Sequence, residues 1–185
     1  METTTIVPSW TTGVIALSAG LLVARLAVGL YMAAHGAQKL FGWFGGPGFA
    51  GTAGLFEQLG FRPARLFAAV AAGAEVISGL LTALGLLGPV GPALMVSVMI
   101  VAIGSVHRPH GFFAMNNGIE VPLLYAAGAV ALALAGPGGF SADALFGLEG
   151  LWTPRVAWAV LLVGIAGGAA NLAIRRPAPQ PAPEW

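Results

Sequence analysis

VIALSAGLLVARLAVGLYMAAHGAQKLF, residues 14–41, is the stretch on which the fold turns. Arg25 and Lys39 are its only permanently charged side chains. At 1.5 Å per residue a helix of this length reaches roughly 40 Å, against about 30 Å for the hydrocarbon core of a bilayer. The segment is therefore predicted to cross a membrane with length to spare, by tilting or by projecting at one end. Gly42-Trp43-Phe44-Gly45-Gly46-Pro47-Gly48 stops it, because that run cannot continue a helix.

Four further apolar blocks follow, at about 64–87, 90–106, 119–135 and 155–174. Gly88-Pro89-Val90-Gly91-Pro92 joins the second to the third so tightly that the two should pack antiparallel. Gly136-Pro137-Gly138-Gly139 ends the fourth, and Arg175-Arg176 closes the fifth. Several blocks sit near the short end of the spanning range, which leaves four or five crossings open. Residues 49–61 mix apolar Leu55, Phe56 and Leu59 with Glu57 and Gln58, the pattern of an interfacial or re-entrant helix. The fold class is all-α, a polytopic transmembrane bundle forming one domain over 1–176. The Pro/Ala tail 177–185 is expected to be a disordered cytoplasmic extension.

Composition agrees and excludes several functions. Hydrophobic residues make up 57% and charged residues 8%, where soluble domains carry about 25% charged. Mean hydropathy is +0.86. The net charge of +1 comes without any basic run interleaved with aromatics, so nucleic acid is not a partner. No cysteine is present, which removes disulfide exchange, thiolate metal binding and iron–sulfur ligation by this chain. There is no haem, flavin or nicotinamide signature and no convincing metal-ligand spacing. Met1–Thr12 has Glu2 and no Lys or Arg, unlike a cleaved signal peptide, and is expected to stay on the protein.

With five crossings, one side of the membrane receives Lys39, Arg62, Arg65, Arg108, Arg175 and Arg176. The other receives Arg155 with Glu2, Asp143 and Glu149. The positive-inside rule then places the N-terminus outside and the C-terminus in the cytoplasm of a plasma-membrane protein. Trp10 and Trp152 fall near the outer interface and Trp43 near the inner one.

Ionisable groups within apolar helices are costly and face a bundle interior or a watery cavity. Arg25, His35 and Lys39 fall within about an 80° arc of the first helix, one polar stripe interrupted by Gly29, Met32 and Gly36. Glu75 lies well inside the second helix, and Ser78, Gly79 and Thr82 continue its face. Its natural partners are Arg25, His35 or Lys39, one helix away. Each residue has a plainer reading too. Glu75 can be half of a register-setting ion pair, Lys39 a lysine snorkelling at a helix end, and His35 a hydrogen-bonded interior residue. Glu120 sits in the first turn of the fourth helix, where a negative charge is favourable without any function. His107, Arg108 and His110 read as a cytoplasmic loop, and Met95 and Met99 as packing.

At these residues the chain resembles the DoxX family of small bacterial membrane proteins. The resemblance starts at Arg25-Leu26-Ala27-Val28-Gly29 and His35-Gly36-Ala37-Gln38-Lys39-Leu40, and passes through Gly45-Gly46-Pro47-Gly48-Phe49. It continues with Glu75-Val76-Ile77-Ser78-Gly79-Leu80-Leu81, Asn117-Gly118 to Glu120, and Gly136-Pro137-Gly138 to Asp143, covering about residues 18–145. It implies a four-helix core, with the fifth helix and tail as additions. Relatives include a subunit of thiosulfate:quinone oxidoreductase and members associated with membrane redox or thiol-stress systems. The cysteine chemistry of some relatives does not carry over.

Two functional expectations follow. In the first, the chain is a subunit of a quinone-linked membrane oxidoreductase or respiratory complex. Glu75 and His35 act on protons and hydrogen bonds at the reacting head group, while Arg25, Lys39 and Glu120 help bind a membrane quinone. Electrons come from partner proteins in the lipid bilayer. In the second, it is a non-catalytic accessory subunit whose charges set helix register. A small-solute transporter ranks lower, since no inverted repeat with paired broken helices is evident.

Overall fold

The computed structural model describes residues 9–176; the expected tail, 177–185, lies outside the described residues. Seven α-helices follow in order: α1 (Ser9–Phe41), α2 (Gly48–Gln58), α3 (Ala64–Leu84), α4 (Val90–Ala102), α5 (Glu120–Ala135), α6 (Ala142–Phe146) and α7 (Pro154–Ala173). Among the described residues, four segments are long and apolar enough to cross a membrane: Thr12–Phe41, Ala64–Leu84, Val90–His110 and Pro154–Ala173. The chain is an all-α bundle and a multi-pass membrane protein.

The third crossing is longer than the apolar run 90–106 implies, because α4 continues as a five-residue π-helical turn, Ile103–His107, and a 3₁₀ turn, Arg108–His110. In contrast α3 stops at Leu84, short of 87. Gly85 adopts the left-handed conformation (φ 63°, ψ 44°) and caps it.

The bundle has two ends. At one, Arg175 Nε donates to Leu59 O at 2.5 Å and Arg176 N to Gly60 O at 2.9 Å, so the end of α7 is tied to the segment after α2. Lys39 lies at this end. At the other, Ser18, Arg25, Gly85, Phe140 and Asp143 meet. The sixteen residues of α5 run between the two, from Glu120 beside Phe112 to Gly136 beside Arg25. Their length of about 24 Å falls short of the hydrocarbon core. Five helices thus connect the ends, four of them at full spanning length.

Small residues let the helices touch backbone to backbone. On α1 Gly29 and Ala33, and on α3 Gly79 and Ala83, form two facing small-x-x-x-small pairs. A Cβ on Gly79 would sit 2.5 Å from both Ala33 N and Gly29 O, and a Cβ on Gly29 would meet Gly79 O and Ala83 N. Gly164 and Gly168 of α7 repeat the device against Ala93 and Ser97 of α4. Where lipid tails are as apolar as leucine, such close packing is what holds helices together. The core between α1, α4, α5 and α7 is built from Met32, Met95, Met99, Ala129 and Leu161. Large apolar side chains such as Val23, Leu66, Ile77, Leu124 and Val163 point outward, as bilayer contact requires.

The short α2 is about 16 Å long and cannot span. It lies across α1 and α3: the Thr52 hydroxyl is shared between Lys39 O and Gly48 O (3.1 and 2.8 Å), and Phe56 packs with Phe61.

At the opposite end, Asp143 is fully buried and organises the α3–α4 turn. Its two carboxylate oxygens accept from Leu87 N (2.9 Å) and Gly88 N (2.6 Å), while its own N–H donates to Gly85 O. Asp143→Asn replaces one acceptor oxygen by a donor facing a buried N–H. It should cost roughly 2–3 kcal/mol, read as a lower midpoint of thermal unfolding in detergent. An unchanged midpoint would show that the turn holds without the carboxylate.

Candidate functional site

The fold brings Lys39, in the last turn of α1, against Glu75 in the middle of α3. Lys39 Nζ donates to Glu75 Oε1, the one salt bridge among the described residues. The pairing follows from helix geometry. Gly36 lets α1 approach α3 until a Cβ at that position would be 2.7 Å from Ala72 O, and Lys39 is one turn further along. Glu75 is 2% exposed, whereas the Lys39 side chain is 33% exposed, so the pair has one dry and one wetter member. Glu75 Oε2 has no hydrogen-bond partner. A buried carboxylate with one oxygen idle is costly.

Both members of the pair line a cavity of about 260 Å³ formed mainly by α2, α3, α4 and the π turn. Its walls are mostly apolar, among them Phe56, Phe67, Val98 and Val101. Besides the ion pair, polar groups are contributed by Thr52, Ser97, Ser105, His107 and Asn171. The mouth carries Leu55 and Val70, both about half exposed. An apolar chamber with a few convergent polar groups is the usual form of a small-molecule site. Its volume lies just below the roughly 300–1,000 Å³ of drug-sized pockets, which suits one ring-sized group with the remainder outside.

His107 was legible only as a loop residue. The π turn carries the helix past Val106 and sets the imidazole in the cavity wall. Its Nδ1 lies 2.8 Å from Asn117 O; a carbonyl only accepts, so Nδ1 bears the proton and neutral His107 keeps Nε2 as an acceptor. Asn171 arrives from α7, far along the chain, and no local pattern marks it.

Three other candidate residues stand apart from the cavity. Arg25 is about 20 Å from Lys39 along α1. It is buried at the opposite end, with Nη2 donating to Phe140 O at 2.6 Å. The stripe predicted on α1 is thus divided between the two ends of the bundle, and Arg25 is not a partner of Glu75. His35 is exposed on the outer wall, edge-to-face with Tyr125 of α5 at 5.9 Å between ring centroids. Glu120 Oε2 accepts from Ala114 N at 2.7 Å and closes the 111–119 loop, outside the cavity lining.

No curated protein and no solved structure matches the chain significantly. A family model does: DoxX, over residues 20–108. The matched segment runs through α1, α2, α3, α4 and the π turn, and so includes Lys39, Glu75, the 42–48 turn and His107. It ends well before the motifs at 117–120 and 136–143. Everything that lines the cavity except Asn171 therefore lies inside the match, and the chain is a multi-pass membrane protein whose residues 20–108 match the DoxX family.

Proposed function

We propose that the cavity beside Lys39 and Glu75 receives the polar head of a membrane quinone, and that the chain is the quinone-docking subunit of a membrane oxidoreductase or respiratory complex. The observation that carries this reading is the Lys39–Glu75 ion pair in the lining of an apolar chamber, with Glu75 Oε2 buried and without a partner. The residues present suit such a head group. The Lys39 ammonium has donors left after its bond to Glu75. Glu75 supplies a carboxylate beside the chamber, and the partly exposed Lys39 stands between it and the wetter end of the bundle. A bound quinone would supply the two-electron chemistry, with electrons delivered by a partner protein. Leu55 and Val70 at the mouth leave a lateral route for an isoprenoid tail.

Lys39, Arg62, Arg65, Arg108, Arg175 and Arg176 all belong to the Lys39 end or to the segments joined to it. That charge supports a cytoplasmic location for this end and for the C-terminus.

The test is a gentle-detergent purification of tagged protein with organic extraction and quantification of quinone. Wild type should retain quinone in near-stoichiometric amount, and Glu75→Gln should lose it while accumulating normally in the membrane. Val98→Phe, which fills the chamber without touching the pair, should lose it as well. Equal quinone in all three proteins would reject the site. A Glu75→Gln protein that vanishes from the membrane, beside a Val98→Phe protein that keeps its quinone, would make Glu75 purely structural.

One observation favours the accessory-subunit reading as a second one. His35 places a polar ring on the outward wall of the bundle, where lipid offers it no hydrogen bond. A neighbouring transmembrane helix supplied by a larger complex would cover it.

A further inference from the structure

The arginines at the Lys39 end are used by neither the cavity nor the helix core. Three spans meet there: Ala64–Leu84 begins, while Val90–His110 and Pro154–Ala173 finish. Arg175 ties them together. Its Nε donates to Leu59 O and its Nη1 to Gly104 O (3.5 Å), and Arg176 N donates to Gly60 O. The segment before α3, the π turn and the end of α7 are thereby held at one spot. Arg62 follows Gly60 by two residues and Arg108 follows Gly104 by one helical turn, so both are carried to the rim of that spot beside Arg176. All three are exposed, and none is in a salt bridge among the described residues. Arg65, one turn further into α3, is exposed too and stands over the Phe49 ring at 5.6 Å.

Little negative charge answers them. Glu57 is exposed on α2, Glu120 Oε2 is taken by Ala114 N, and Glu75 is held by Lys39. Arg62 and Arg65 also stand at the positive end of the α3 dipole, where cations are disfavoured, and no acidic residue lies in its first turn. Positive charge is thus gathered at the level where apolar spans meet water, the level of phospholipid phosphates. From there Leu66, Gly73, Ile77 and Leu84 run along one face of α3. The three large side chains are exposed, and a Cβ on Gly73 would meet nothing within 4 Å, so an apolar track leads away from the arginines.

We infer that Arg62, Arg108 and Arg176 hold the phosphate of an anionic phospholipid, whose acyl chains lie along this face of α3. The lipid joins α3, α4 and α7 where Arg175 ties them, so binding should stabilise the bundle. The site is independent of quinone at Glu75.

The experiment is thermal unfolding of the full-length protein in neutral detergent doped with phosphatidylglycerol or phosphatidylcholine, with native mass spectrometry to count retained lipid. Wild type should show a saturable rise in midpoint of roughly 5 °C with phosphatidylglycerol. It should retain a single such lipid and respond to neither phosphatidylcholine nor inorganic phosphate. Arg62→Gln and Arg108→Gln, both at exposed positions, should each weaken half-saturation about fivefold. Arg155→Gln, exposed at the opposite end, should leave it unchanged. Equal rises with the two lipids would overturn the proposal, as would a response that Arg155→Gln weakens as much as Arg62→Gln does. A rise with inorganic phosphate would give the site to a soluble anion. A rise with polyglutamate but not with phosphatidylglycerol would give it to an acidic protein, and either result overturns the lipid.

Discussion

Lys39→Met, made alone, lowers the stability of the bundle by roughly 2–4 kcal/mol, because it strands a buried carboxylate. The figure sits below the range for fully buried pairs, since the Lys39 side chain is one-third exposed and water screens part of the attraction. Removing both charges is a different experiment. In Lys39→Met/Glu75→Met no charge remains to be desolvated, and stability should return to within about 1 kcal/mol of wild type. Thermal unfolding of the purified single and double variants checks this. The double variant should be well folded and devoid of quinone, a combination that separates what the pair does for the fold from what it does for a ligand. A single variant as stable as wild type would mean that Glu75 is already satisfied by another group.

Gly79→Leu should have the larger effect, above about 3 kcal/mol, and is expected to stop the protein accumulating. The clash is with backbone atoms, Ala33 N and Gly29 O, and no rotamer relieves it. The helices must separate, and with them Lys39 from Glu75. Gly73→Leu is the matched control: it lies on the same helix, but a Cβ there meets nothing within 4 Å. Membrane abundance of the two variants, measured by immunoblot against wild type, decides the point. Equal abundance would show that α1 and α3 are not held by close backbone contact.

The main helices were legible because apolar length alone identifies a spanning segment. Gly85 ends α3 through a left-handed cap, and the Gly42–Gly48 run ends α1 where it was expected to. The Lys39–Glu75 pairing could be narrowed to three cations but not chosen among them. Helical angle puts Arg25 and Lys39 on one stripe, and only the register of α1 against α3, set by Gly29, Gly36 and Gly79, separates them. Glu120 read equally as a helix-start charge or as a ligand group; its hydrogen bond to Ala114 N favours the former. Asp143 was hidden for another reason. In an acidic stretch between helices a carboxylate looks solvated, and nothing nearby in the chain announces that Leu87 and Gly88 will claim both its oxygens.

The π turn at Ile103–His107 has a consequence for chain length. A π turn is an α-helix with one residue too many, and such turns are frequent at functional sites. Deleting a single position, such as Gly104, would restore an uninterrupted α-helix and swing His107 by about 100°. The imidazole would leave the cavity wall, while α4 from Val90 to Ala102 would stay in place. A single residue thus separates a plain bundle from one with a histidine-walled chamber, and the shortened chain is the form against which to measure what the histidine adds.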